Sequence, residues 1–115
     1  MKVESVLYML WVEDMDRAIA FYRDVMGLRV KSEHSKWSEL THGDALIALH
    51  GGGKGVFQKT GLNFEVKNLE EACNDVRSGG GSIVNPPMKI EEEPLARAEV
   101  VDTEGNAFSL YEYVG

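Results

Sequence analysis

Cysteine is almost missing from this chain. Cys73 is the only one, so no intramolecular disulfide forms, and without a CxxC pair there is no cysteine-based structural zinc site. Basic residues are scarce as well. Twelve Lys and Arg stand against 19 Asp and Glu, a formal net charge of −7 and a sequence pI near 4.9. No basic run is longer than two residues. A nucleic-acid or anionic-membrane partner needs clustered Lys and Arg, so neither is expected. The acidic run Glu91-Glu92-Glu93 reads as a solvated loop. Long hydrophobic runs are also lacking. The apolar stretch Val6–Val12 gives way at Glu13 and Asp14, too short for a membrane span and with no signal-peptide cleavage site. A cytoplasmic location is expected.

What remains is an ordinary globular composition. Of 115 residues, 43% are hydrophobic and 27% charged, which fits one domain spanning residues 1–115 that builds a core without staples. The chain resembles itself. Laid over itself with Val12 on Val66, Val12–Ala18 matches Val66–Ala72, and Arg23, Gly27 and Val30 fall on Arg77, Gly81 and Val84. Leu46–Leu49 answers Ala107–Leu110 once extra residues are allowed in the second half. Module one then covers about residues 1–54 and module two about 55–115.

Each half opens on an apolar run of strand length, Val6–Val12 and Leu62–Val66. Asp14 and Asn68 are good helix N-caps, and Glu71 stands three after Asn68 as in a capping box. Apolar residues follow at helical spacing: Met15, Ala18, Ile19, Tyr22, Val25 and Met26, then Leu69, Ala72, Cys73 and Val76. The helices give out at Gly27 and at Gly79–Gly81. Three strands are expected after each helix, at Leu28–Ser32, Lys36–Thr41 and Ala45–His50, then at Ser82–Asn85, Ala96–Asp102 and Asn106–Tyr113. Turns fall at His42-Gly43-Asp44 and Asp102–Gly105, and Pro86, Pro87 and Pro94 mark a longer loop. The reading is an α+β fold of two βαβββ modules, a cupped mixed sheet with helices on its outer face and a cavity within.

Val12–Leu28, reading VEDMDRAIAFYRDVMGL, resembles the opening of the vicinal oxygen chelate superfamily. Val101–Glu112, reading VDTEGNAFSLYE, is similar to its closing turn and strand. That superfamily includes glyoxalase I, extradiol dioxygenases, fosfomycin-resistance enzymes and bleomycin-resistance binding proteins. The resemblance covers nearly the whole chain and implies a homodimer, with the modules pairing inside one chain or swapping between chains. It also implies four cavity positions that hold a divalent metal in the family's enzymes. Here they are Leu7, Ala48, Gly61 and Ser109, of which only Ser109 carries a donor, and a poor one. The resemblance therefore points to the metal-free binding branch, with no cofactor and no catalytic residue.

Strand alternation extends the cavity wall from those positions. Met9 and Trp11 share a face with Leu7, His50 with Ala48, Asn63 and Glu65 with Gly61, and Tyr111 with Ser109. Trp37, Glu39, Arg97 and Glu99 join the set, while Tyr8, Leu10 and Val12 are expected against the helix. Such a wall suits an aromatic or cationic organic ligand, with Glu39, Glu65 and Glu99 favouring a cation. The indoles would equally serve a core or a dimer interface. His34, His42 and His50 read as surface or rim histidines, with His50 a candidate ligand hydrogen-bonder and a His50–Glu39 base pairing conceivable. Gly51–Gly55 lacks the Ser or Thr of a phosphate loop and reads as a flexible connector. Cys73 reads as a small core residue. The function expected is sequestration of a small molecule, of the bleomycin-resistance type linked to antibiotic resistance. The rival is a metal-dependent lyase, isomerase or dioxygenase of the same superfamily.

Overall fold

The computed structural model describes residues 1–115. Strand β1 (Tyr8–Val12) leads into helix α1 (Met15–Ala20), which widens into a π-helical turn at Phe21–Val25. Strands β2 (Arg29–Ser32), β3 (Trp37–His42) and β4 (Ala45–Gly51) complete the first module. The second contains β5 (Gln58–Glu65), helix α2 (Leu69–Ser78), β6 (Ser82–Lys89), β7 (Leu95–Val101) and β8 (Asn106–Tyr113). Each module folds into its own four-stranded mixed sheet, in the orders β1-β4-β3-β2 and β5-β8-β7-β6. The first strand of each pairs parallel to the last, and the other pairings are antiparallel. The expected α+β pair of βαβββ modules is the architecture observed.

The helix starts follow the sequence. Asp14 accepts from the Arg17 N–H at 3.1 Å, and Asn68 accepts from the Glu71 N–H at 3.0 Å. A second donor at the start of α2, the Leu69 N–H, is met by the Glu112 carboxylate from the end of β8 at 2.9 Å, which satisfies an otherwise orphaned group. The wide turn after α1 lets the neighbouring rings of Phe21 and Tyr22 both enter the core. There they cluster with Phe108, Phe21 edge-on to both Tyr22 and Phe108, Tyr22 tilted against Phe108, and Phe64 edge-on to Phe108. Buried residues of both modules join in one hydrophobic cluster.

Several boundaries differ from the sequence expectation. β1 begins at Tyr8, because Val6 finds no strand partner and is left exposed. Tyr8 itself does not pack on the helix. It is partly exposed, and its hydroxyl oxygen accepts from the Gly61 N–H at 2.6 Å. β5 starts four residues early, at Gln58, where the backbone N–H donates to the Gly105 carbonyl. Its register against β8 then slips, from Lys59 opposite Ala107 to Asn63 opposite Ser109. Gly61 lies in that bulge. β6 runs through Pro86 and Pro87 instead of ending at Asn85. An edge strand tolerates prolines, and the register of β6 against β7 is irregular on both sides of Asn85. His42 closes β3 rather than opening the turn.

The modules are joined by polar contacts around the Asp102–Asn106 turn. The Tyr22 hydroxyl donates to Asp102 at 2.6 Å. Arg17 of α1 reaches the buried Glu104 carboxylate at 2.7 Å, and the Asn106 amide donates to the Trp11 carbonyl at 2.8 Å.

Candidate functional site

Strand register fixes which side chains share a wall. On the first sheet, Leu10, Leu40, Ile47 and Leu49 are buried in the core. The opposite face carries two cross-strand rows. One is Trp11, His50 and Trp37, the other Met9, Ala48 and Glu39. The His50 ring lies 4.3 Å from the Trp11 ring and 5.7 Å from the Trp37 ring, centroid to centroid. Trp11 is 42% exposed. The Trp37 indole N–H donates to Glu39 at 2.8 Å, which ties that ring down, and the other Glu39 oxygen lies 3.6 Å from the Lys31 ammonium. The Nδ1 of His50 lies 2.7 Å from the Gly51 carbonyl oxygen. A His50–Glu39 pairing is therefore not what the structure holds, since each group has another partner.

The second sheet's outward face is more polar. Its rows are Asn63, Ser109, Glu99 and Asn85, then Glu65, Tyr111, Arg97 and Met88. The Asn85 amide donates to Glu99 at 3.1 Å, and Lys59 lies 3.7 Å from its other oxygen. A hollow of about 370 Å³ lies on this face between Lys59, Asn85, Met88, Arg97, Glu99 and Ser109. All eleven expected site residues lie on these two faces, five on the first sheet and six on the second. The side-chain hydrogen bonds and ring contacts of each group stay on its own sheet.

The expected acidity of the wall is largely neutralised. Lys31 offsets Glu39, and Lys59 with Asn85 engages Glu99. Glu65 and Arg97 make no ion pair. Lys31, Lys59 and Asn85 were not legible as wall residues. Lys59 alternates with Gly61 and Asn63 and would have been found had β5 been extended back to Gln58. Lys31 and Asn85 lie beside register shifts, where simple alternation fails.

The metal positions of the family's enzymes do not fit an ion here. Ala48 is buried with no donor, Leu7 is an exposed aliphatic chain, and Gly61 offers only backbone, whose N–H already binds Tyr8. No three His, Cys, Asp or Glu side chains gather closely enough to hold a metal. His34 and His42 are exposed; His34 precedes β3, and His42 closes it at the far end from the Trp37–His50 pair, about 17 Å along an extended chain. Cys73 is buried in the core, where burial pushes its thiol pKa up and keeps it protonated. No helix is long and apolar enough to cross a membrane.

The sequence matches the family described as "Glyoxalase/Bleomycin resistance protein/Dioxygenase superfamily" over residues 5–110. No curated protein matches it in sequence. Among solved structures, a hypothetical protein from S. aureus is similar at 17% identity, with a TM-score of 0.80, covering 97% of this chain and 95% of that one. A lactoylglutathione lyase from Agrobacterium tumefaciens aligns at 16% identity and a TM-score of 0.73, over 96% of this chain and 95% of its own. A genomically encoded fosfomycin resistance protein from Listeria monocytogenes aligns at 15% identity and a TM-score of 0.77, over 97% and 94%. These likenesses concern the fold. With its two modules, their topology and the family match taken together, the chain belongs to the glyoxalase/bleomycin resistance protein/dioxygenase superfamily.

Proposed function

We propose that this chain binds a small planar organic molecule, with an aromatic ring stacked on the Trp11–His50–Trp37 wall and no metal ion taking part. The observation that supports this reading is the ring row itself. Three adjacent strands present aromatic side chains on the face turned away from the core, and the outermost, Trp11, is 42% exposed. Leaving such surface in water is unfavourable, and covering it with another ring recovers the apolar burial plus about 0.5–1.5 kcal/mol of ring–ring attraction. Sequestration of a compound, of the kind bleomycin-resistance proteins perform, needs burial and stacking without bond breaking. Because Glu39 is already neutralised, a cationic ligand on this wall would rely on the indole faces.

The chain has two tryptophans, both on the wall, so fluorescence reports directly on it. Titration with a planar aromatic compound is expected to quench tryptophan emission. Trp11→Ala or Trp37→Ala is each expected to weaken binding about 2- to 13-fold, the equivalent of one lost stacking contact. Unchanged affinity in both variants would remove the stacking wall.

Elemental analysis of untagged protein, purified without chelators, is expected to show no stoichiometric divalent metal. An equimolar ion would restore the lyase, isomerase or dioxygenase reading.

The same reading includes a homodimer. A compact monomer of this mass exposes about 6300 Å² by size scaling, whereas this chain exposes 7176 Å². Tyr8, Val84, Met88 and Tyr113 are exposed on the strands outside the ring row. Native mass spectrometry is expected to show a two-chain species, and a monomer at micromolar concentration would count against it.

A further inference from the structure

We infer that His50 sets the specificity of the aromatic wall, its Nε2 accepting a hydrogen bond from an N–H or O–H on the rim of a planar heteroaromatic ligand. This rests on the stacking reading above and goes further by naming the edge chemistry of the ligand.

The argument starts from the partner of the ring. Nδ1 of His50 lies 2.7 Å from the carbonyl oxygen of Gly51. A carbonyl oxygen only accepts, so Nδ1 carries the proton and donates. In the neutral ring the other nitrogen, Nε2, is then a bare acceptor. Nothing in the protein takes it up, and no buried side-chain polar atom lacks a partner, so Nε2 is open to whatever occupies the wall. The charged groups near the ring do not compete for it. Glu39 is held by Trp37 and Lys31, and the β1 neighbour is the Trp11 indole.

Position adds the second half. His50 occupies the middle strand of the row, flanked by Trp11 on β1 and Trp37 on β3. In the inferred pose the ligand rests on an indole with its donor edge in the imidazole plane, within hydrogen-bond reach of Nε2. A donor on that edge is satisfied, whereas a ligand with a methyl group there leaves Nε2 unpaired on desolvation, which is how hydrogen-bonding sites discriminate between isosteres.

Two probes that stack alike and differ in one donor test this: benzimidazole, with a ring N–H, and 1-methylbenzimidazole, without one. Binding is followed through the NMR signals of the two indole N–H groups in the full chain. The wild type is expected to bind benzimidazole about fivefold more tightly, the scale of one net hydrogen bond. His50→Phe and His50→Leu are both expected to erase that preference, so that each variant binds the two probes within about twofold of one another. Either variant with dispersed native signals serves. Equal binding of the two probes to the wild type overturns the inference while leaving stacking intact, as does a preference that persists without the imidazole. If neither probe perturbs the indole signals at millimolar concentration, the stacking reading fails and this inference fails with it.

Discussion

Glu104→Ala is expected to cost the fold about 2–3 kcal/mol and to lower Tm by roughly 10 °C, measured by urea denaturation and thermal melting. The side chain of Glu104 is fully buried and receives donors from both modules. The backbone N–H groups of Glu13 and Asp14 reach one oxygen at 2.9 and 2.8 Å. The Arg17 guanidinium and the Thr103 hydroxyl reach the other, each at 2.7 Å. A carboxylate from the closing turn of the second module thus sits at the start of α1 in the first, where the free N–H groups and the helix dipole favour negative charge. Truncation leaves two backbone donors facing a void. Arg17→Ala is expected to cost less, because that side chain is half exposed and Glu104 keeps its other donors.

The same site fixes a pH dependence. Burial alone would push the Glu104 carboxyl up. Arg17, the Asp14 N–H, Thr103 and the Glu13 N–H outweigh burial together and hold it below the usual range. A depressed carboxyl contributes stability that is complete above its unfolded-state value and is lost as pH falls through its folded-state value. Asp102 runs the other way. Its burial outweighs the pull of the Tyr22 hydroxyl and the groups of Asn106 and Glu104, so its carboxyl is raised and its ionised form carries a penalty relieved on acidification. Asp102 is common to the wild type and Glu104→Gln, so it cancels in their difference. The advantage of the wild type over Glu104→Gln is expected to shrink as pH falls from about 7 towards 3. A gap that stays constant would mean that the carboxylate charge is not what holds the joint.

This joint shows how far the sequence could be read. The helix caps at Asp14 and Asn68 were visible because capping is a local bargain between one side chain and the N–H groups just after it. The wall residues on β3, β4, β7 and β8 were visible because strict alternation holds wherever register is regular. The closing turn was recognisable as a turn, but nothing local to Asp102–Asn106 shows that Glu104 serves a helix some ninety residues earlier in the chain, far beyond the windows of about 11–18 residues over which periodicity is read. The bulge around Gly61 is a similar case. It follows from Gln58 being drawn onto Gly105, far along the same module, and from Tyr8 of the other module meeting the Gly61 N–H. Pro86 and Pro87 misled because proline argues against a strand only where a partner on both sides needs its N–H, and β6 is an edge. The ring row was legible as three residue types on one face. The tie of Trp37 to Glu39 and the orientation of the imidazole required coordinates.

Gly105→Ala is expected to be the most damaging single-methyl addition in the chain, about 3 kcal/mol or more, and Gly43→Ala supplies its control. Both glycines have positive φ, 91° and 57°, so each substitution carries the conformational penalty of about 1 kcal/mol that a side chain meets there. At Gly43 nothing lies within 4 Å of the added carbon, and that penalty is the whole cost. At Gly105 the added carbon would strike the Val56 carbonyl oxygen and stand 2.7 Å from that of Gly55. These are backbone atoms of the connector between modules, which have no rotamer to give way. The Gly105 carbonyl also accepts from Gln58, so the turn cannot retreat without releasing the start of β5. The difference between the two variants in urea denaturation reports the collision together with the extra strain of a side chain at φ 91° over one at 57°. If Gly105→Ala proves no worse than Gly43→Ala, the connector yields freely, and the closing turn is not the fixed point on which the two modules are aligned.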